Sequence, residues 1–170
     1  MAHQLTTSYL KDASELFRYY KKLAERAIEQ CPDDGLFTAL DEESNSIAII
    51  VKHMAGNMKS RWVNFLTTDG EKPDRKRDSE FEDPAQTRAE LLKTWETGWK
   101  YLFDALQTLT EEDLGRTVTI RAEPHSVMQA IHRQIAHYSY HAGQIVYLAK
   151  HFSGTRWSTL TLPKNKTLKI

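Results

Sequence analysis

The sequence predicts an all-α protein, a four-helix bundle with long connections between its helices. Three observations predict it. Four long stretches repeat their apolar residues at three- and four-residue steps, the period of a helix with one buried face. Only one short stretch, TVTIR, alternates in the manner of a strand. The 170 residues suffice for one mid-sized domain with a substantial core. Residues 1–170 are therefore read as a single domain with an irregular tail over 152–170.

The first helix is expected from about Thr7 to Gln30, with Tyr9, Ala13, Leu16, Phe17, Tyr20, Leu23, Ala24 and Ala27 as its stripe. The run CPDDG then stops it, because proline cannot continue a helix and disfavours helical geometry in Cys31. The second follows ESNS, where Ser44 or Ser46 can accept a hydrogen bond from a first-turn N–H. Ile47, Ile50, Val51, Met54, Met58, Trp62 and Phe65 or Leu66 continue its stripe. In the third, Asp83 can cap, Pro84 suits the first helical position and Gln86 completes a box-like pattern. Leu91, Trp95, Leu102, Phe103 and Leu106 then recur, and TEEDL adds a short helical turn capped by Thr110. Ser126 with Gln129 opens the fourth helix, which runs to about His151. The tail beyond packs through Trp157 and Leu160. Four amphipathic helices in one domain make a bundle, where sites are built from side chains on facing helices.

Composition excludes several classes. The 23 basic and 23 acidic residues cancel, so nothing marks a nucleic-acid or anionic-membrane partner. No stretch reaches the roughly 18 apolar residues of a membrane span, and MAHQLTTSYLKDASELF lacks the plan of a secretory signal. The one cysteine, Cys31, precludes an internal disulfide framework, and these facts together favour the cytoplasm. The charged run DGEKPDRKRDSEFEDP is read first as a solvated loop.

The chemistry lies in the seven histidines. His137 and His141, four residues apart, differ by about 40° in direction round a helix and share a face. That face also carries Ala130, Gln134, Ile145 and Leu148, so both imidazoles point inward. His132 is about 140° away from His137, and His3, His125 and His151 fall in termini or loops. His53 lies mid-helix, with Gly56 three residues on. A mid-helix glycine costs about 1 kcal/mol against alanine, and here it leaves room for something to approach the backbone. If the second and fourth helices face each other, His53 meets the pair. Two readings stand. Three converging imidazoles form a facial divalent-metal site with a position left for water or substrate. Alternatively, they are core histidines hydrogen-bonded to Tyr138, Tyr140 or Tyr147. The cost of burying unsatisfied polar groups tilts the balance toward metal. The H-E-x-x-H pattern is absent, since Tyr138 follows His137, and so are Glu-x-x-His pairs.

The ordered segments NSIAIIVKHMAGNM, PDRKRDSEFED and HYSYHAGQIVYLAK resemble the DinB/YfiT-like superfamily of metalloenzymes, in particular a bacterial subfamily without an assigned function. The resemblance implies a four-helix bundle whose metal is held by His53, His137 and His141, with zinc or nickel as the ion, and a homodimer. Relatives such as the bacillithiol S-transferases and the mycothiol-dependent maleylpyruvate isomerase imply a low-molecular-weight thiol as cofactor.

The expectation is a metal-dependent enzyme that transfers a low-molecular-weight thiol to a small electrophile. Arg61, Arg75 and Arg77, with Asp74, Asp78 and Glu80 beside them, are candidates for contacts to a polar cofactor, and Gln134 for a group supporting the metal site. The alternatives are metal-assisted hydrolysis, with Asp69 or Glu80 handling the proton, and a non-catalytic metal- or ligand-binding stress protein. Three imidazoles suit zinc, nickel, cobalt, copper and iron alike. No catalytic role is expected for Cys31, which has no histidine near it in sequence.

Overall fold

The computed structural model describes residues 7–82 and 84–163. The chain is mostly helical, as its periodicity predicts. Helices α1 (Tyr9–Gln30), α3 (Ile47–Trp62), α4 (Arg88–Gln107) and α5 (Val127–Ser153) are long, and α2 (Asp33–Phe37) is a single short turn after Pro32 that the stop signal did not foretell. Among the described residues the one sheet is a hairpin of β1 (Thr117–Ile120) and β2 (Glu123–Ser126), antiparallel with Thr117 opposite Ser126 and Ile120 opposite Glu123. Short 3₁₀ turns occupy Asp78–Phe81, Glu111–Gly115 and Gly154–Arg156. No helix is long and apolar enough to cross a membrane among the described residues.

Local chemistry sets the helix starts. Ser46 rather than Ser44 caps α3, its side chain accepting from the Ile49 N–H. Ser126 and Gln129 form the capping box expected for α5, and Thr110 with Asp113 does the same for the 3₁₀ turn. The third long helix begins later than Pro84: Thr87 is its cap, and Glu90 closes a box by accepting from the Thr87 N–H. Pro84 and Gln86 precede the helix, and the Asp83 cap falls outside the described residues.

Helix α1 packs chiefly on α5, and α3 chiefly on α4 and then on α5. At the α3–α4 contact a Cβ on Gly98 would sit 2.8 Å from the Ala55 Cα, so the close approach requires glycine. One apolar cluster fills the interior. Its centre joins rings from all four long helices: Phe17 lies 6.1 Å from Trp62 and 5.9 Å from Tyr138, and Trp99 lies 5.8 Å from Tyr138. The α1 stripe is buried at Ala13, Phe17, Ala24 and Ala27, while Tyr9, Leu16, Tyr20 and Leu23 are half-buried at its margins. Cys31 is buried, and desolvation pushes its thiol up to about 11, the state of an inert packing group.

The tail after α5 is tied to α1. Arg26 donates to the Leu160 carbonyl at 3.0 Å, and Gln30 donates to the Ser158 carbonyl at 3.1 Å. Residues 164–170, the end of that tail, and His3 lie outside the described residues.

The charged run is not the solvated loop its composition implies. It folds back over α3 and buries Glu80 and the side chain of Arg75. Nearby, Asp69 clamps the hairpin turn. Arg121 and Ala122 both have positive φ, 56° and 62°, with neither Asn nor Gly to ease it. The Asp69 carboxylate accepts from both of their N–H groups, at 2.9 and 2.8 Å, and from that of Glu71. Burial works against the ionised form, but these bonds outweigh it and hold the Asp69 carboxyl down to about 2.

Candidate metal centre

Helices α3 and α5 face each other at the position the histidine spacing requires. His53 projects from α3, and His137 and His141 from successive turns of α5. The His137 Nε2 lies 3.4 Å from the His53 Nε2 and 3.1 Å from the His141 Nε2. All three ligand atoms fall within 4.8 Å of one another. Three nitrogens bound at 2.0–2.1 Å to one ion stand about 2.9–3.4 Å apart, from an octahedral face to a tetrahedron. The spacing fits.

The tautomers fit as well. The His53 Nδ1–H donates to the Glu80 Oε2 at 2.9 Å, and the His141 Nδ1–H donates to the Gln144 Oε1 at 2.8 Å. Both rings therefore turn an Nε2 lone pair inward, toward the Nε2 of His137. A lone hydrogen on that nitrogen can satisfy one of the two, and the other lone pair faces a nitrogen with nothing to share. His137 and His141 themselves resist protonation. Desolvation lowers His137 to about 3, with the charges of His141 and His53 adding to it, and desolvation lowers His141 to about 4. A metal ion is the kind of cation that such a cluster can hold. The tyrosine reading is overturned: the Tyr138 hydroxyl accepts from the Trp62 indole at 3.2 Å and donates to the Asn57 Oδ1 at 2.9 Å. Among the described residues no tyrosine hydroxyl bonds to any of the three imidazoles.

Glu80, a candidate in the sequence for a cofactor contact or for handling a proton, is bonded to His53 and Arg75 and does not line the cavity beside the cluster. It passes over the backbone of Gly56, where a Cβ would stand 2.3 Å from its Oε1, and so reaches His53. Arg75 grips it from the other side with Nε at 2.8 Å and Nη2 at 2.7 Å. Burial alone would raise its carboxyl, but the bonds from His53 and Arg75 and the Arg75 charge hold it below the usual range. Phe81 stacks on the His53 ring at 4.8 Å, and the Arg77 guanidinium sits 5.1 Å from the centre of the same Phe81 ring. Asp69, the other proposed proton handler, is spent on the hairpin.

The remaining candidates separate. Gln134 is 3% exposed on the His137 face and lines the cavity beside the cluster, but it hydrogen-bonds to no histidine, and its Oε1 has no partner. The glutamine that bonds a histidine of the cluster is instead Gln144, on His141. Arg61, Arg75 and Arg77 all line the same cavity of about 380 Å³. Arg61 is buried, bonded to the Gly70 carbonyl and to Glu71, so it anchors the loop. Asp74 is exposed, as is Asp78 beside Arg77. Asn57, Arg121, Arg133, Ala136 and Tyr140 complete the lining, and of these the sequence singles out only Tyr140. Among the described residues no other histidine, carboxylate or thiol joins the cluster.

These features define a helical protein with a three-histidine cluster able to hold a metal ion. The chain matches the family described as "Protein of unknown function (DUF1572)" over residues 4–166 and belongs to it. No curated protein and no solved structure matches it.

Proposed function

We propose that this chain is a four-helix-bundle metalloenzyme of the DinB/YfiT type, single-domain, dimeric and cytoplasmic, that joins a low-molecular-weight thiol to a small electrophile. The observation that carries the reading is the convergence of three imidazole nitrogens, two of the rings oriented by Nδ1 bonds to Glu80 and Gln144. Such outer partners orient ligands and raise their basicity. Zinc or nickel is the ion proposed, and when bound it supplies a Lewis acid that favours the thiolate of a coordinated thiol at neutral pH. Three protein donors leave coordination positions for substrate, which speaks for a reactive rather than a closed structural site.

The chain's own groups do the rest. The cavity of about 380 Å³ takes a small molecule. The Trp62–Tyr138–Asn57 chain of hydrogen bonds fixes the Asn57 amide at its wall. Tyr140 packs on His141 with ring centres 4.1 Å apart and forms a partly exposed side of the entrance. Metal-assisted hydrolysis has less support, because Glu80 and Asp69 are both committed elsewhere and no carboxylate lines the cavity.

The test is reconstitution with cobalt(II), followed by titration with small thiols and a chromogenic aryl halide. The reading expects a thiolate-to-cobalt absorption band and thiol-dependent conjugation above the spontaneous rate, both lost in His137→Ala. Stoichiometric metal with neither band nor turnover would transfer the protein to the non-catalytic metal-binding class.

A further inference from the structure

The lining of the cavity is strongly one-sided in charge. Five arginines, Arg61, Arg75, Arg77, Arg121 and Arg133, reach it and no acidic residue does, in a chain whose formal charges sum to zero. Among the described residues only three carboxylates pair with these guanidiniums: Glu71, Glu80 and Asp78, the last with its side chain 95% exposed. An excess of two positive charges remains before any metal ion adds its own. Fields in a cleft lined by one sign are focused rather than dispersed.

The arginines divide by what they already hold. Arg61 and Arg75 are 5% exposed in their side chains and serve the loop and Glu80. The other three come from separate segments: Arg77 ahead of the 3₁₀ turn, Arg121 in the hairpin and Arg133 on α5. Arg121 bonds through Nε to Glu71 at 3.1 Å, and among the described residues its Nη groups have no partner. Arg77 touches Asp78 through Nη1 alone, at 3.4 Å, while its guanidinium is steadied on Phe81. Arg133 pairs with no carboxylate among the described residues. Independently, the buried Nε of Arg61 has no hydrogen-bond partner, an orphaned donor at the wall of the same cavity. A purely solvated face would not keep such a donor dry.

We propose that the cavity selects a small organic anion, with Arg77, Arg121 and Arg133 taking its carboxylate or phosphate at the rim while its other end lies toward the histidines. Planar guanidiniums with free Nη pairs bind either group in bidentate fashion. The inference deepens the proposed function and rests on it for the placement of the reacting end; the anion preference itself is read separately.

The experiment is isothermal titration of the zinc-loaded protein with succinate, with its neutral isostere succinamide and with inorganic phosphate, in the wild type and in Arg133→Gln and Arg121→Gln. The expected result is that succinate or phosphate binds at least about tenfold more tightly than succinamide. The preference should weaken at least about fivefold in each variant and fall with added salt. A tighter succinate assigns the carboxylate, a tighter phosphate the phosphate. Equal or absent binding of all three, or a preference untouched by the arginine variants, overturns the proposal. Parallel titration of the cobalt protein with 3-mercaptopropionate separates the two readings. Anion preference without a thiolate band refutes the thiol and keeps the anion. A band equally strong with 2-mercaptoethanol, without anion preference, does the reverse.

Discussion

Gly56→Ala tests how the cluster is held. A Cβ there would lie 2.3 Å from the Glu80 Oε1, 2.6 Å from its Cδ and 3.0 Å from its Cγ, distances that force the carboxylate to move. Moving it strains the 2.9 Å bond from His53 and the two bonds from Arg75. Charge-assisted hydrogen bonds contribute about 1.5–3 kcal/mol each. Partial loss of this group outweighs the gain of about 1 kcal/mol that alanine brings to a helix interior. The net expectation is a loss of about 2 kcal/mol, seen as a fall of about 4–8 °C in Tm for a domain of this size. With His53 no longer aimed, metal affinity should drop about 10–100-fold, read by competition with a chromophoric chelator. The double-mutant cycle sharpens the test: with Glu80→Ala in place the obstruction is gone, and Gly56→Ala should stabilise by up to about 1 kcal/mol. A Gly56→Ala protein that is more stable than wild type and binds metal unchanged would refute the reasoning.

Asp69→Ala should cost about 1 kcal/mol at neutral pH by freeing the N–H groups of Arg121 and Ala122. Because the folded carboxyl is depressed to about 2 from 3.8, the wild-type advantage is present above about pH 4 and lost as pH falls through about 2; urea melts showing a constant difference down to pH 2 would contradict this. The metal-free protein should lose stability as pH falls from about 6.5 toward 4, since the unfolded chain takes up protons that His137 and His141 refuse until about 3 and 4. His137→Gln should flatten that slope, and an identical slope would refute the assignment. Trp62→Phe removes the donor to the buried Tyr138 hydroxyl and leaves it only its bond to Asn57, whereas the Trp99 indole N–H already lacks a partner among the described residues. Denaturant titration should therefore find Trp62→Phe costlier than Trp99→Phe by about 1 kcal/mol or more, and the reverse order would count against the hydrogen-bond chain.

Much of the fold was legible because helical periodicity and capping boxes are local. The stripe through Ala130, Gln134, His137, His141, Ile145 and Leu148 predicts the inward face of α5, and His53 follows once α3 and α5 oppose each other. The features that escaped depend on distant partners. The strand of residues 117–120 could be read from TVTI, but its hairpin could not, because Arg121 and Ala122 adopt positive φ only with Asp69 accepting their N–H groups from 52 and 53 positions away. Glu80 is one acid among many in a charged run, and nothing local distinguishes it from its solvated neighbours. Its signal lay in Gly56, the costly mid-helix glycine whose missing side chain admits a carboxylate 24 residues further on. The start of α4 was misread because Pro84 offers a plausible first turn, while Thr87 and Glu90 satisfy two orphan donors together.

The central claim is that His53, His137 and His141 hold one divalent ion. Elemental analysis of protein purified without a metal-affinity tag, beside a His137→Ala variant, tests it most directly. The account predicts about one ion per chain in the wild type and its loss in the variant, with the fold retained. No metal in the wild type, before or after reconstitution with zinc and nickel, would contradict it and leave the three imidazoles as a packing arrangement of the α3–α5 contact.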